Sequence, residues 1–202
     1  LNLRGGNRIG VVITGGDALA HRPARQGRTA FTAALASIFD TPRQQTKPGA
    51  NADLLAGLTW VSAAARRHGR VVVISDFIDS GDWAQGIRRL AQRHDVLCIQ
   101  VSDPREFDLP NVGIIGIVDA ETGQQRYVNT RSRRLREEFA ATARAQRRSV
   151  QHAIRSSGAD YLELSTDRDW LTDVVAYVGG HRSAVTRHAH QPQVQRSGQG
   201  FQ

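Results

Sequence analysis

Apolar residues along this chain keep two rhythms: short unbroken β-branched runs, and longer stretches in which they recur three and four positions apart. The run from Arg8 to Thr14 ends at Gly15-Gly16 and predicts a buried strand. Ala18 to Pro23 fits a brief edge strand, because a proline cannot donate to a central ladder. Within 29–39, Phe31, Ala34, Leu35 and Ile38 stand at helical spacing, and 41–50 reads as a polar loop. Asn51 or Asp53 can cap a helix whose apolar face holds Leu54, Leu55, Leu58, Val61 and Ala64, ending at Gly69.

Arg70 to Asp76 follows, with four consecutive β-branched residues, and predicts a strand covered on both faces as in a parallel sheet. Asp82 caps a helix to about Arg93 with Trp83, Ile87 and Leu90 inward. Val96 to Val101 is a second buried strand, stopped by Ser102-Asp103-Pro104. Val112 to Val118 and Gln125 to Val128 predict a hairpin turning at Glu121-Thr122-Gly123. Arg131 to Ser156 is a long helix, Tyr161 to Leu164 a short strand, and Thr166 with Asp169 opens a last helix to about Val178. From His181 the chain turns polar and loses its period, which predicts a disordered basic tail over 181–202 behind a single domain over 1–180. Alternating strands and helices of this kind form a doubly wound α/β sheet, mostly parallel.

Charge changes the picture in one place. The net charge is +8, but 131–157 alone holds eight arginines against Glu137 and Glu138, while 158–180 is acidic through Asp160, Glu163, Asp167, Asp169 and Asp173. The excess is one arginine-rich helix, a solvated or protein-docking face rather than a nucleic-acid reader, since few aromatics accompany it for base stacking. The single cysteine, Cys98, lies inside an apolar run and reads as a small buried hydrophobe in a reducing compartment, with the cytoplasm expected. No run approaches the length of a membrane-spanning helix.

Ligands of such sheets bind beyond the carboxyl ends of the strands, which singles out Ser75, Asp76 and Asp79. Asp76 is the best candidate, as ligand, metal or loop-holding carboxylate; Asp82 reads as a helix cap. Asp103, Arg105 and Glu106 emerge on the same edge, where an Arg–carboxylate pair would organise the loop. No phosphate loop and no Gly-x-Ser-x-Gly elbow is present, so nucleophilic catalysis has no support. His188 and His190 could chelate a metal only with further ligands, and His21, His68 and His94 read as surface residues at element ends. The alternatives to a binding module are a hydrolase or phosphoryl-transfer enzyme using Asp76, and nucleic-acid binding through 131–156.

The words Val73-Ile-Ser-Asp-Phe-Ile-Asp79, Arg93-His-Asp-Val-Leu97, Asp103-Pro-Arg-Glu106, Leu109-Pro110 and Thr166-Asp167, in that order behind Arg8-Ile-Gly-Val-Val12, resemble the bacterial "domain of unknown function 58" family. The resemblance covers about 5–178 and implies a von Willebrand factor A-like fold. It also implies a non-catalytic role in assembling or activating other proteins, beside a MoxR-type AAA+ ATPase as partner. In that fold Mg²⁺ is held by an Asp-x-Ser-x-Ser loop, a threonine and an aspartate matching Asp76. Here Ala52-Asp53-Leu54 stands where Thr-Asp-Leu is expected, and Asp-x-Ser-x-Ser is absent. The metal-ion-dependent adhesion site is therefore expected to be degenerate, with no tightly bound cofactor and Mg²⁺ possible only in a longer form. The first central strand is expected to be missing between 9–14 and 71–75, so those strands must pair directly, bind another chain or stay exposed. With no methionine and a leucine first, the chain is expected to be a piece of something longer, marginally stable and prone to associate.

Overall fold

The computed structural model describes residues 6–15, 18–41, 53–78, 81–118 and 125–188. The chain is mixed α/β. β1 (Arg8–Gly15) and β2 (Ala18–Gln26) pair antiparallel, and β3 (Arg70–Ser75), β4 (Asp95–Ser102) and β7 (Asp160–Ser165) form a parallel sheet in the order β3-β4-β7. The antiparallel hairpin β5 (Ile114–Val118) and β6 (Gln125–Asn129) stands apart from both. Its turn at 119–124 and the loop at 42–52 lie outside the described residues.

The helices are α1 (Arg28–Asp40), α2 (Leu54–Ala64), α3 (Trp83–Ala91), α4 (Arg133–Ser156) and α5 (Trp170–His188). Asp53 caps α2 by accepting from Ala56 N at 2.7 Å, and Asp82 caps α3 by accepting from Gln85 N at 3.3 Å. Trp83, Ile87 and Leu90 turn inward as their spacing predicts. They join Leu54 and Leu58 of α2, Val73, Val96 and Cys98 of the sheet, and Val150 and Ile154 of α4 in one core. Tyr161 shares that face, while its neighbour Asp160 takes the other and accepts a hydrogen bond from Tyr177 of α5 at 3.0 Å. The three-stranded sheet therefore has α2, α3 and α4 on one face and α5 against the other.

Several expectations are corrected. β2 is nine residues long rather than brief. Its Pro23 falls in the register break between Val11↔Arg22 and Ile9↔Arg25, a bulge in which a residue without an N–H costs no ladder bond. β1 is half-buried rather than buried. β3 is covered on one face only: Val73 is buried, but Val72 and Ile74 are 48% and 66% exposed, because β3 is an edge strand and α5 lies over β7. Among the described residues β1 and β3 do not pair with each other. Thr166 does not cap α5; its N–H goes to Ser102 O, and Asp169 caps instead, accepting from Leu171 N and from the Thr172 hydroxyl. α5 runs through Gly179-Gly180 to His188, so 181–188, expected as disordered tail, are helical; 189–202, including His190, lie outside the described residues.

Candidate functional site

The parallel strands bring their carboxyl ends to one rim, and the loop after β3 is built by its own polar atoms. The Ser75 hydroxyl accepts from Phe77 N at 3.0 Å, and Asp76 Oδ1 accepts from Ile78 N at 3.1 Å. Between them Phe77 adopts a left-handed backbone (φ 58°) with its ring buried edge-on to Trp83, the centroids 5.1 Å apart. A non-glycine residue in that region costs about 1 kcal/mol, which burial of the ring offsets. The outcome is an abrupt turn that leaves the Asp76 side chain exposed at the rim while one carboxylate oxygen fastens the turn.

The loop after β4 lies beside it. Asp103 Oδ1 accepts from Arg105 N at 2.9 Å and starts the short 3-10 turn Pro104–Glu106. The expected guanidinium–carboxylate pair is absent: among the described residues no ion pair joins Arg105 to Asp103 or Glu106, and the loop is held by carboxylate-to-backbone contact, which needs no long side chain fixed. Glu106 feels both neighbours. Partial burial pushes its carboxyl above the ordinary 4.5, and the charges of Asp76 and Asp103 add to the push against a backbone hydrogen bond from Asp103. Ser75 and Asp76, and Asp103, Arg105 and Glu106, thus lie on two neighbouring loops of one rim. Asp79 lies outside the described residues.

Beneath the rim runs a polar network that the hydrophobic pattern did not reveal. Gln100, nearly buried in β4, donates to the Asp76 carbonyl at 3.2 Å and accepts from the Tyr161 hydroxyl at 2.8 Å. Arg147 of α4 pairs with Glu163 and sits over the Phe107 ring, its carbon 5.6 Å from the centroid. Burial, with the Glu163 charge second, pushes the Tyr161 phenol up to about 12, so it stays a neutral donor. Polar residues at alternating strand positions were the available signal, since Gln100, Ser102, Tyr161 and Glu163 share one face of β4 and β7.

Among the described residues no Mg²⁺ site is assembled. Asp76 gives Oδ1 to Ile78 N and has only Oδ2 left to offer, Asp53 is spent on capping α2, and among the described residues no three His, Cys, Asp or Glu side chains are grouped to hold a metal ion. Cys98 is fully buried, and desolvation with the Asp160 charge pushes its thiol up to about 12, which removes it as a nucleophile. His94 corrects another expectation. It is 6% exposed rather than a surface residue, since the chain turns inward after α3 to enter β4, and its Nε2 has no hydrogen-bond partner among the described residues. His68 is exposed, as expected, with Nε2 3.8 Å from Asp95, and His21 rests on Trp60. Among the described residues no helix is long and apolar enough to cross a membrane.

Residues 1–149 match the family described as "Protein of unknown function DUF58". The "Uncharacterized protein Rv1480" of Mycobacterium tuberculosis is 41% identical over 182 residues, 90% of this chain and 56% of the relative. The "Uncharacterized protein MAV169" of Mycobacterium avium is 41% identical over 160 residues, 79% of this chain and 93% of the relative. The chain thus spans little more than half the length of the first of these. The crystal structure of conserved hypothetical protein BatB from Bacteroides thetaiotaomicron superposes with a TM-score of 0.49 at 11% identity, over 91% of this chain and 82% of that one.

Proposed function

The chain belongs to the DUF58 family, and from that premise we propose that it is a non-catalytic protein-interaction module of von Willebrand factor A-like design. Its docking face is the carboxyl rim around Asp76, and its partner is a MoxR-type AAA+ ATPase. The observation that carries this reading is the turn at Asp76. A buried, left-handed Phe77 fixes an exposed carboxylate at the strand end, and Gln100 braces the backbone from below. Asp103 and Glu106 extend the negative face, and Arg105 gives it an exposed cation. A rim with braced backbone, mixed charge and no grouped metal ligands among the described residues is suited to binding a protein surface directly.

The arrangement of α2 supports the finer fold. Its Gly57 meets Thr14 of β1 so closely that an added Cβ would lie 2.6 Å from Thr14 Cγ2, while Leu54 and Leu58 share the core with Val73 of β3. A helix is about 10 Å across, and adjacent strands are about 4.8 Å apart. One helix seated over both edges leaves room for roughly a single strand between them. In this reading an apolar strand supplied from elsewhere fills that gap, covers Val72 and Ile74, and joins the sheets.

Co-purification with the ATPase tests the docking reading. Wild-type chain is expected to retain the partner equally in Mg²⁺ and in EDTA. Asp76→Asn keeps an acceptor for Ile78 N but removes the charge, and together with Arg105→Glu it is expected to release the partner. Retention by both variants would overturn the proposal.

A further inference from the structure

The first half of α4 is at most half-buried, on the face of Leu135, Phe139 and Ala143. A 24-residue helix rises about 36 Å, whereas a six-residue strand spans about 20 Å. Only Val150 and Ile154 of α4 are buried, both in its last two turns. Arg147 already stands level with Glu163 near the carboxyl end of β7, so the turns before it overhang the rim. The base of that overhang is fastened. Buried Thr130 donates its hydroxyl to Gly113 O at 2.7 Å, and Arg136 donates to Thr130 O at 2.5 Å, tying α4 to the root of the β5–β6 hairpin.

Along this projecting stretch lies a shallow groove of about 470 Å³, lined by Asp108, Arg133, Arg136, Glu137, Ala140 and Arg144. Its guanidinia differ in their freedom. Arg133 is engaged by Glu137 at 2.7 Å and Arg136 by Thr130 O. Arg144 is exposed and has no ion pair or hydrogen bond among the described residues. Ala140, one turn before it, keeps the floor clear. We infer that this groove docks an acidic segment of a partner protein, with a carboxylate of the segment received by Arg144 and its flanks aligned by the fixed charges of Arg133 and Arg136. Charge complementarity selects that occupant. The planar guanidinium fork matches a carboxylate bidentately. The carboxylates of Asp108 and Glu137 within the lining repel a continuous phosphate track, and no aromatic side chain stands among the groove residues to stack a base. A protein segment of mixed but mainly negative charge satisfies all five charged residues of the lining, whereas nucleic acid satisfies only the three arginines.

The inference does not rest on the reading of the Asp76 rim. Fluorescence anisotropy of a labelled poly-glutamate peptide of about 20 residues, titrated with the full chain, tests it. Arg144→Glu is expected to weaken binding about tenfold or more, and Arg144→Lys to weaken it less, because charge survives without the fork. Arg66→Glu, an equal charge change on an exposed residue beyond α2, is expected to weaken it less than about threefold. Asp76→Asn is expected to leave it unchanged. Circular dichroism of each variant confirms that the helix persists. Equal losses from Arg144→Glu and Arg66→Glu would reduce the effect to overall charge and overturn the inference. So would tighter binding of duplex DNA than of the peptide, with the same sensitivity to Arg144→Glu, which would mark a nucleic-acid surface.

Discussion

The Gln100 side chain, inside the sheet, donates a hydrogen bond to the backbone carbonyl of Asp76 at 3.2 Å, so the residue offered at the rim is positioned by one that a ligand never touches. The same amide accepts from Tyr161 at 2.8 Å, which locks its orientation. Gln100→Leu fills similar volume but strands a carbonyl and a phenol, and is expected to cost about 1–3 kcal/mol in chemical denaturation. Tyr161→Phe is expected to cost about 1 kcal/mol, and the double variant less than the sum, because the two changes share a bond.

Glu106 makes stability depend on pH in a definite sense. Its carboxyl is pushed above 4.5 in the folded chain, by partial burial and then by Asp76 and Asp103, so the fold holds its proton more tightly than the unfolded chain does. Ionisation at higher pH therefore penalises the fold, starting as pH rises through 4.5. Glu106→Gln is expected to raise the melting temperature slightly at pH 7 and to change nothing at pH 3, since the residue is exposed and solvent screens the effect. Melting curves at the two pH values check the sign.

The uncovered face of β3 predicts association. Val72 and Ile74 lie open on an edge strand, a combination that recruits further strands. Light scattering is expected to grow with concentration for the wild-type chain. Ile74→Lys is expected to suppress it while far-ultraviolet circular dichroism stays constant, because a side chain 66% exposed leaves little of the core behind.

Calorimetric titration with Mg²⁺ is expected to show no binding heat up to about 1 mM, since a single free carboxylate holds a hydrated ion weakly. Micromolar binding that Asp76→Ala abolishes would restore a working metal site.

What the sequence made legible was local. The β-branched run 71–74, the caps at Asp53 and Asp82, and the inward stripe of α3 each depend on residues within one turn or strand of one another. What it hid was set at a distance. Phe77 adopts positive φ because Trp83 and the core take its ring, and nothing in Asp76-Phe77-Ile78 announces that. The exposure of Ile74 depends on which strand and helix stand beside it, and a β-branched run reads alike with or without them. His94 looked like a surface residue because it follows a helix end, yet the entry into β4 buries it. Gly179-Gly180 suggested a stop, but glycine lowers helix stability without forbidding it, and α5 continues. At the rim, the loops after β3 and β4 stand side by side because the two strands are parallel neighbours, and the role of Gln100 required knowing that register.

Amide hydrogen exchange on the chain with and without a MoxR-type ATPase bears on the docking face without altering a residue. Slowed exchange in 75–78 and 102–107 on adding the ATPase, unchanged by EDTA, is the predicted result. Protection that leaves both loops untouched, or that vanishes when Mg²⁺ is chelated, would contradict it.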